Sequence, residues 1–317
     1  MRQIIFICFL FPFFFFFSLF SCVGNSEGKK SGKDGRWDEI QVDSTAIRFF
    51  QRTEGWIASD GALSVALSDG RTLWLMGDSH IDDYDPATGT IPCLFQVRNA
   101  ALVQPANDWD WRNTRTLIGE GPGIKSFFKR IPDDHYWFWP GTGVQIKDTV
   151  YVYCAELQRT GEGAWGFGNT GNDMWAKMKF PEMEMAGYSA LPHFNEINFG
   201  GGYVKDDSSG YVYAYGFKLI PMIVQSEVYV ARFKQDNPSE QWEYWDGNTW
   251  NEDIEKIIAI GAGAISPNVT KVNDKYIMLS TAISVGCDQG KEIYLSTSNQ
   301  VTGPFTESEI LYTNTDT

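Results

Sequence analysis

The chain has 317 residues, of which 43% are hydrophobic and 15% aromatic, and a formal net charge of −14. Its length suits one large domain or two small ones. The acidic balance, with no basic cluster in the sequence, argues against nucleic acid and anionic lipid as partners.

The first 36 residues form two segments that precede the predicted domain. Residues 1–21 contain a short basic start and a long apolar run that ends just before Cys22. This pattern is typical of a bacterial lipoprotein signal, in which Cys22 carries the lipid; a membrane-spanning anchor is the alternative. Residues 22–36, rich in Gly, Ser and Lys, are predicted to be a flexible tether. We therefore expect a lipid-anchored protein of the cell envelope, at the outer membrane of a Gram-negative bacterium.

Residues 55–80 are predicted to contain a hairpin. Two strand-like runs are predicted there, with a Ser-Asp-Gly turn between them. Asp60 precedes the first run and Asp78 follows the second. Because these two ends meet in an antiparallel hairpin, we expect both carboxylates at one rim.

Strand signals recur along the rest of the chain. Runs rich in Val, Ile, Tyr and Thr, separated by turn sequences, occur at 100–103, 143–155, 201–217, 227–233, 264–280 and 292–298. Helix is predicted only for 175–178 and 252–258. The chain is therefore predicted to be all-β, and residues 37–317, which contain no linker-like segment, to form a single domain.

Four similar units recur in this domain. Each has a small or polar entry residue, a strand, a turn and an apolar strand, and the entries are Asp60, Gly141, Gly201 and Asn268. Sheets repeated radially are the blades of a β-propeller, whose first strands line a central channel. The sequence predicts a five-bladed β-propeller with an incomplete last blade. Either residues 37–53 help to form that blade or the chain is a truncated five-bladed protein, and truncation is favoured.

The cysteines give no sign of a metal site. Cys93, Cys154 and Cys287 remain when the leader and Cys22 are set aside, and none has a CxxC neighbour or a nearby His at ligand spacing. We expect buried free thiols. No cofactor or metal is predicted, and a structural calcium is not indicated.

Several phrases of the sequence resemble known propeller families. Gly55-Trp56, Asp60-Gly61, the run 69–74, Gly77-Asp78-Ser79 and Phe138-Trp139-Pro140-Gly141 resemble the lipoprotein propellers known as domains of unknown function 4185 and 5005. The phrases at 293–298 and 302–305 are similar to five-bladed glycoside hydrolases of families 43, 32 and 117. The resemblance covers about 49–313. Since some relatives of the first group act on arabinan-type furanosides, it implies a furanosidase.

Glycoside hydrolysis requires two carboxyl groups, a proton donor and a base or nucleophile. Asp60 is predicted to be the base or nucleophile, because it enters the innermost strand as the base does in the propellers that this chain resembles; an Asp-Gly turn that only caps a strand is the alternative. Glu196, in a polar patch before the third unit, and Glu156, at the position in the second unit that Asp78 has in the first, are the candidates for the acid. Asp78 is predicted to tune a neighbour's pKa or to bind sugar hydroxyls.

Sugar binding also needs aromatic faces and hydrogen-bonding side chains. The residues predicted to provide them near the rim are Trp139, Arg98, Asn99, His193 and Asn268. Two functions fit this set. One is a glycoside hydrolase that acts on a poly- or oligosaccharide; the other is a glycan-binding surface lipoprotein whose carboxylates bind hydroxyls without cleavage.

Overall fold

The structure is a computed structural model that describes residues 40–130, 135–161, 166–220, 225–283 and 290–314. The predicted signal, the tether with Cys22, and Cys287 lie outside these ranges. The described residues form an all-β propeller of four blades. The expectation of five blades is wrong, because each of the four sequence units supplies one blade and residues 44–50 form a helix instead of a strand.

The first blade contains six short strands. They are β1 (Trp56–Ser59), β2 (Leu63–Ala66), β3 (Thr72–Met76), β4 (Ser79–Ile81), β5 (Ala100–Gln104) and β6 (Arg115–Leu117). The main sheet has the order β2-β3-β5-β6, and β1 pairs with β4. Ser59 lies opposite Ser79 in the first ladder and Leu63 opposite Leu75 in the second, so these two pairs share one register. The β1–β4 pair therefore continues the β2–β3 hairpin toward the rim.

The other three blades are longer antiparallel sheets. The second contains β7 (Tyr136–Ile146), β8 (Thr149–Arg159), β9 (Phe167–Asn169), β10 (Met174–Lys179) and β11 (Glu184–Ala190). The third contains β12 (Asn198–Asp206), β13 (Tyr211–Ile220), β14 (Gln225–Lys234), β15 (Glu243–Trp245), β16 (Trp250–Asn251) and β17 (Gly261–Gly263). The fourth contains β18 (Ile265–Val272), β19 (Lys275–Thr281), β20 (Glu292–Ser298) and β21 (Glu309–Thr313).

Helical structure is short. Helix α1 (Ser44–Phe50) begins at Asp43, whose carboxylate accepts hydrogen bonds from two amides of the first turn. The helix predicted at 175–178 belongs to strand β10, and within 252–258 only Ile254–Lys256 forms a 3₁₀ turn. None of the helices in the described part of the chain has the length and apolar character needed to cross a membrane.

The inner strands approach each other closely at glycines. A Cβ added to Gly141 of β7 would lie 2.6 Å from the Cα of Gly200 in β12, and one added to Gly202 would lie 2.1 Å from the carbonyl oxygen of Val269 in β18. Such distances are shorter than any van der Waals contact. Backbone contact at these glycines therefore brings the inner strands of the second, third and fourth blades together around one axis.

The inner strand of each blade is interrupted near its rim end. The ladders of β7, β12 and β18 shift register at Pro140/Gly143, Asn198/Gly202 and Ile265/Asn268, while the first blade breaks between β1 and β2, at 60–62. These breaks coincide with the four predicted entry residues. Since an interruption frees backbone and side chains from regular pairing, functional groups can project from this level.

The hydrophobic core consists of layers between neighbouring blades. One layer joins the first and second blades through Leu73 and Val152, and the largest joins the second and third through Trp175 and Phe199. A third, around Tyr215, lies between the third and fourth blades. Burial between blades stabilises the ring, because no single sheet covers both of its own faces.

Candidate functional site

Asp60 and Asp78 lie opposite each other at the interruption of the first blade. The Asp60 amide donates to the Asp78 carbonyl over 3.1 Å, and the Gly77 amide donates to the Asp60 carbonyl over 2.8 Å. In this pattern Gly77 and Asp78 both face Asp60, as in a β-bulge, and the flanking ladders place the two aspartates at the same level of the hairpin. The structure thus brings the two carboxylates to one rim.

Asp78 is the enclosed member of this pair. Its side chain is buried, the Trp139 indole N–H donates to Oδ1 over 2.9 Å, and Arg98 Nη1 donates to Oδ2 over 3.2 Å. Burial raises the pKa of the Asp78 carboxyl, and the charge of Asp60 adds to that rise, whereas the Trp139 and Arg98 hydrogen bonds oppose it.

Asp60 is the accessible member of the pair. Its side chain is exposed at the rim, and the described residues provide no hydrogen bond to its carboxylate. The surrounding protein partly desolvates the carboxyl and so raises the pKa of Asp60, while the positive charge available on His80 acts in the opposite direction. A ligand that enters the mouth can reach this group first.

Arg98 and Trp139 belong to an aromatic cluster beside the pair. The Arg98 guanidinium lies over the Trp137 ring at 4.3 Å and over Phe95 at 4.7 Å. Trp139 is half-buried and makes edge-to-face contacts with Trp137 and Phe167. Both residues contact Asp78 directly, so two of the predicted binding residues lie beside the Asp60–Asp78 pair.

Glu156 lies in the second blade, on β8. Its side chain is buried and pairs with the Arg130 guanidinium, and it accepts hydrogen bonds from Thr170 Oγ1 at 2.9 Å and from Asn172 Nδ2 at 3.3 Å. All of its visible partners are donors. The side chain is therefore held as a bonded carboxylate in this structure.

Asp173 is a buried acid that the sequence analysis missed. It accepts from the Tyr153 hydroxyl and, over 3.3 Å, from the Glu156 amide. Burial is the main cause that raises the pKa of Asp173, and the neighbouring Glu156 charge contributes. In the sequence it follows Gly171-Asn172, which indicates only a turn, and no sequence signal marks its burial.

Glu196 has a different environment. Its side chain is 81% exposed and pairs with Lys218 Nζ at 2.8 Å, and this partner lowers the pKa of Glu196. His193 is also exposed and contacts Asn195 through Nδ1 at 3.1 Å. A proton donor needs a raised pKa, so the surroundings of Glu196 do not favour the predicted acid role.

Asn99 and Asn268 differ in their exposure. Asn99 is fully buried, and its carboxamide donates to the carbonyls of Phe128 and Phe138 and accepts from the Phe128 amide. The prediction that Asn99 binds substrate is wrong, because its carboxamide is enclosed and bonded to the backbone. Asn268 is half-buried at the interruption of β18.

A cavity in the described part of the molecule lies elsewhere. It has a volume of about 620 Å³ between the third and fourth blades, and its lining includes Gln225, Tyr294, Phe305 and Glu307. None of the predicted site residues lines it. Within the described ranges, no three His, Cys, Asp or Glu side chains are grouped so that they could hold a metal ion.

Comparison with known proteins gives the family. The profile of the domain of unknown function DUF5005 matches residues 43–317, which is most of the chain. The chain belongs to this family. That assignment confirms the resemblance predicted from the first-blade phrases. No curated protein matches the sequence.

One solved structure shows the same fold, and two others are more weakly similar. A presumed hydrolase from Bacteroides ovatus ATCC 8483 is 19% identical, with 91% of this chain and 82% of that one covered and a TM-score of 0.67. The GH43_1 enzyme from Xanthomonas citri, complexed with xylotriose, is 16% identical over 84% of this chain and 77% of that one, with a TM-score of 0.45. An endo-arabinase from Bacteroides thetaiotaomicron VPI-5482 is 10% identical over 80% and 81%, with a TM-score of 0.44. The first likeness shows the propeller fold alone, and the other two are too weak to add to it.

Proposed function

We propose that this DUF5005 protein is a glycoside hydrolase that acts on an oligo- or polysaccharide through Asp60 and Asp78. The observation that carries the proposal is the placement of these two aspartates at the same level of the hairpin, at the interruption of the first blade. Two carboxyl groups on one face, beside an aromatic cluster, are the minimum that glycoside hydrolysis requires.

The environments of the two aspartates suggest different roles. Asp78 receives hydrogen bonds on both oxygens, from Trp139 and Arg98, which favour its ionised form. Asp60 is accessible and accepts no hydrogen bond from the described residues, and desolvation raises its pKa. Asp78, whose carboxyl oxygens are each held by a donor, suits a nucleophile, and the accessible Asp60 suits the group that donates and later accepts the proton. In this assignment Asp60 is the proton donor, whereas the sequence suggested that it is the base or nucleophile.

The spacing of opposed residues favours a retaining reaction. Directly opposed Cβ atoms in an antiparallel pair lie about 4.5 to 5.5 Å apart. Retaining enzymes place their carboxyl groups about 5 to 5.5 Å apart, whereas inverting enzymes leave room for a water. Carboxyl groups that extend from opposite positions of a hairpin are therefore expected to match the retaining separation better than the inverting one.

The decisive experiment is a reducing-sugar assay of the full chain on a polysaccharide panel, with arabinan-type furanosides first because of the lipoprotein propellers that the chain resembles. Asp60→Asn and Asp78→Asn are each expected to lower kcat by a factor of roughly 10² to 10⁴, since each removes one of the two reacting carboxyl groups. Asp69→Asn, in the turn at the opposite end of the same hairpin, is the matched control and should keep the rate.

Glu156→Gln and Glu196→Gln complete the series. A rate close to wild type for Asp60→Asn, together with loss of activity in either glutamine variant, would show that the catalytic pair has been misassigned.

Glycan binding without cleavage is the second candidate function. The observation that favours it is the burial of Asp78, which is 8% exposed and already bonded on both oxygens. Asp60 would then be the one accessible carboxylate of this pair. A wild-type protein that binds a glycan and cleaves none of the panel would support this function.

We also propose that Cys22 is lipidated and anchors the protein to the cell envelope. The support is the sequence of residues 1–36 alone, with its basic start, apolar run and polar tether. The predicted placement at an outer membrane belongs to the same proposal, and a Cys22→Ser variant tests the anchor.

A further inference from the structure

His80 lies next to Asp60 and has no role in the proposed catalytic pair. In the rim ladder His80 is opposite Ala58, two residues from the opposed pair Asp60 and Asp78. Because alternate residues of a strand share a face, His80 leaves β4 on the same side as Asp78 and diagonally across from Asp60.

Asp83 holds the imidazole from behind. Its Oδ2 lies 2.7 Å from His80 Nδ1, and the two side chains are 6% and 11% exposed, respectively. The loop that carries Asp83 is fixed at its start, because the amide of Asp82 donates to the Gly55 carbonyl over 2.8 Å and the Asp82 carboxylate accepts from the Gly55 amide. Asp83 is therefore placed by the backbone and does not depend on the histidine for its position.

Two unsatisfied atoms distinguish this pair from an ordinary buried histidine. Asp83 Oδ1 is buried without a hydrogen-bond partner among the described residues, and within the same ranges no partner is found for His80 Nε2. A carboxylate at Nδ1 fixes that nitrogen as the N–H donor and so orients the imidazole ring. Holding Asp83 buried and only partly satisfied costs free energy that a purely structural contact would not require.

The charged groups around His80 are few. Asp83 faces it from the following loop and Asp60 from the end of β1, while Asp78 is paired with Arg98. β1 and the segment at 96–97, which flank β4, contribute no ionisable side chain. The electrostatic effect of His80 is therefore directed at Asp60.

We propose that His80, held by Asp83, is a positioning residue that sets the protonation state of Asp60. The inference rests on the proposed function, since it gives Asp60's proton a catalytic purpose. In each turnover Asp60 gives up one proton and takes one back. The positive imidazolium stabilises the Asp60 carboxylate after the proton has left, and no bond to His80 is formed or broken.

The test is a ¹³C NMR titration of the Asp60 carboxyl in the full chain, assigned by its disappearance in Asp60→Asn. Removal of the imidazolium in His80→Gln should move the titration midpoint of Asp60 upward by roughly half to one pH unit. Asp83→Asn takes away the carboxylate that holds the imidazole in place, and should move the midpoint in the same direction by less. Asp85→Asn, an exposed carboxylate of the same loop that bonds Ala87 and Thr88, is the matched control and should leave it unchanged.

The outcomes separate this inference from the proposed function. Identical Asp60 titrations in the wild type, His80→Gln and Asp83→Asn would overturn the role of His80, whether or not a substrate is found. If His80→Gln does not fold, Asp83→Asn decides alone. A shifted titration with no hydrolysis of any glycan would keep the electrostatic role and reject the enzyme. With an active wild type, the alkaline limb of the kcat–pH profile of His80→Gln should move to higher pH by the same amount as the titration.

Discussion

Carboxylates at the rim end of the blades differ mainly in how far each is removed from water. Asp78 and Asp173 are both buried, and burial raises both pKa values, but Asp78 has a guanidinium partner whereas Asp173 accepts from a phenol and an amide. Asp206, in an exposed turn, shows the opposite behaviour, since hydrogen bonds from Ser208 and Ser209 lower its pKa to about 2. Residues of one chemical type thus have environments with opposite effects on ionisation.

Asp173 should make the stability of the protein depend on pH. A carboxyl whose pKa is raised in the folded state binds its proton more tightly there. Its contribution to the free energy of unfolding is therefore complete below the unfolded pKa of 3.8 and is lost as pH rises through the folded pKa. The free energy of unfolding of Asp173→Asn should therefore increase relative to wild type between about pH 4 and neutrality. Urea unfolding across that range measures it.

Asp206→Asn provides a control of opposite sign. The lowered pKa of Asp206 stabilises the fold above 3.8, and that contribution is lost as pH falls toward about 2. A difference between Asp173→Asn and wild type that stays constant with pH would show that Asp173 titrates as it does in the unfolded chain.

The sequence could predict the site residues that lie on regular hairpins and no others. Asp60 and Asp78 follow from alternation and antiparallel geometry, and Arg98 and Trp139 lie beside them. Asn99 could not be separated from its neighbour Arg98, because burial of its carboxamide depends on a loop residue and a strand residue 29 and 39 positions away. The sequence did not indicate Asp83. It lies three residues after His80, but two residues at this spacing in a loop have no fixed relative position.

At the scale of the elements, the interruptions of the inner strands combine two requirements. Below each break, regular pairing keeps the blade in register, as in β7 from Gly143 to Ile146. At the break, backbone approaches backbone too closely for a side chain, as at Gly141 and Gly200. Glycine is required there because any Cβ would separate the blades.

Gly202 provides the clearest test of this packing. It has φ of +151°, and a Cβ there would lie 2.1 Å from the Val269 carbonyl oxygen. Gly202→Ala should lower the free energy of unfolding by about 1 to 3 kcal/mol through overpacking, beyond the cost of the backbone angle. Chemical denaturation followed by tryptophan fluorescence measures this loss.

Gly187 offers a matched control at the edge of the second blade. Its φ is +125°, but a Cβ there would meet no atom within 4 Å. Gly187→Ala isolates the backbone cost, so equal losses in the two variants would contradict the packing argument.

Strand prediction succeeded where alternation was strong and failed where burial was complete. The four repeat units gave the four inner strands to within a residue or two of their breaks. Residues 175–178 lack alternation because Trp175 is buried against the third blade and Ala176 and Met178 against the first, so periodicity could not separate strand from helix. The number of blades is a property of the whole domain, and no local sequence pattern indicates it.

At the scale of the whole molecule, hydrophobic layers and the acidic charge have separate roles. The layers between blades, with aromatic side chains such as Trp175, Phe233 and Trp242 in contact, hold the sheets together. The net charge of −14 disfavours attraction to anionic surfaces. The proposed membrane association therefore requires a covalent lipid or an apolar anchor.

Cys22→Ser distinguishes these two routes. If Cys22 is the lipidated residue, the variant should move from the membrane fraction to the soluble fraction, with an unchanged unfolding midpoint because residues 22–36 are mostly polar. Fractionation with immunodetection measures the distribution. Retention of the variant in the membrane would favour the apolar run as a spanning anchor.

The buried carboxamide of Asn99 has a consequence for the chemical durability of the molecule. By bonding to the backbone at Phe128 and Phe138, it ties the head of β5 to two distant segments, as a cross-link would. Cys93 and Cys154 are both free, and burial raises the pKa of the Cys154 thiol well above its usual range. A junction made of amide hydrogen bonds does not change with the thiol–disulfide potential of its surroundings. The contacts of Asn99 with Phe128 and Phe138 can therefore form before exposure to an oxidant and persist after a reductant is added.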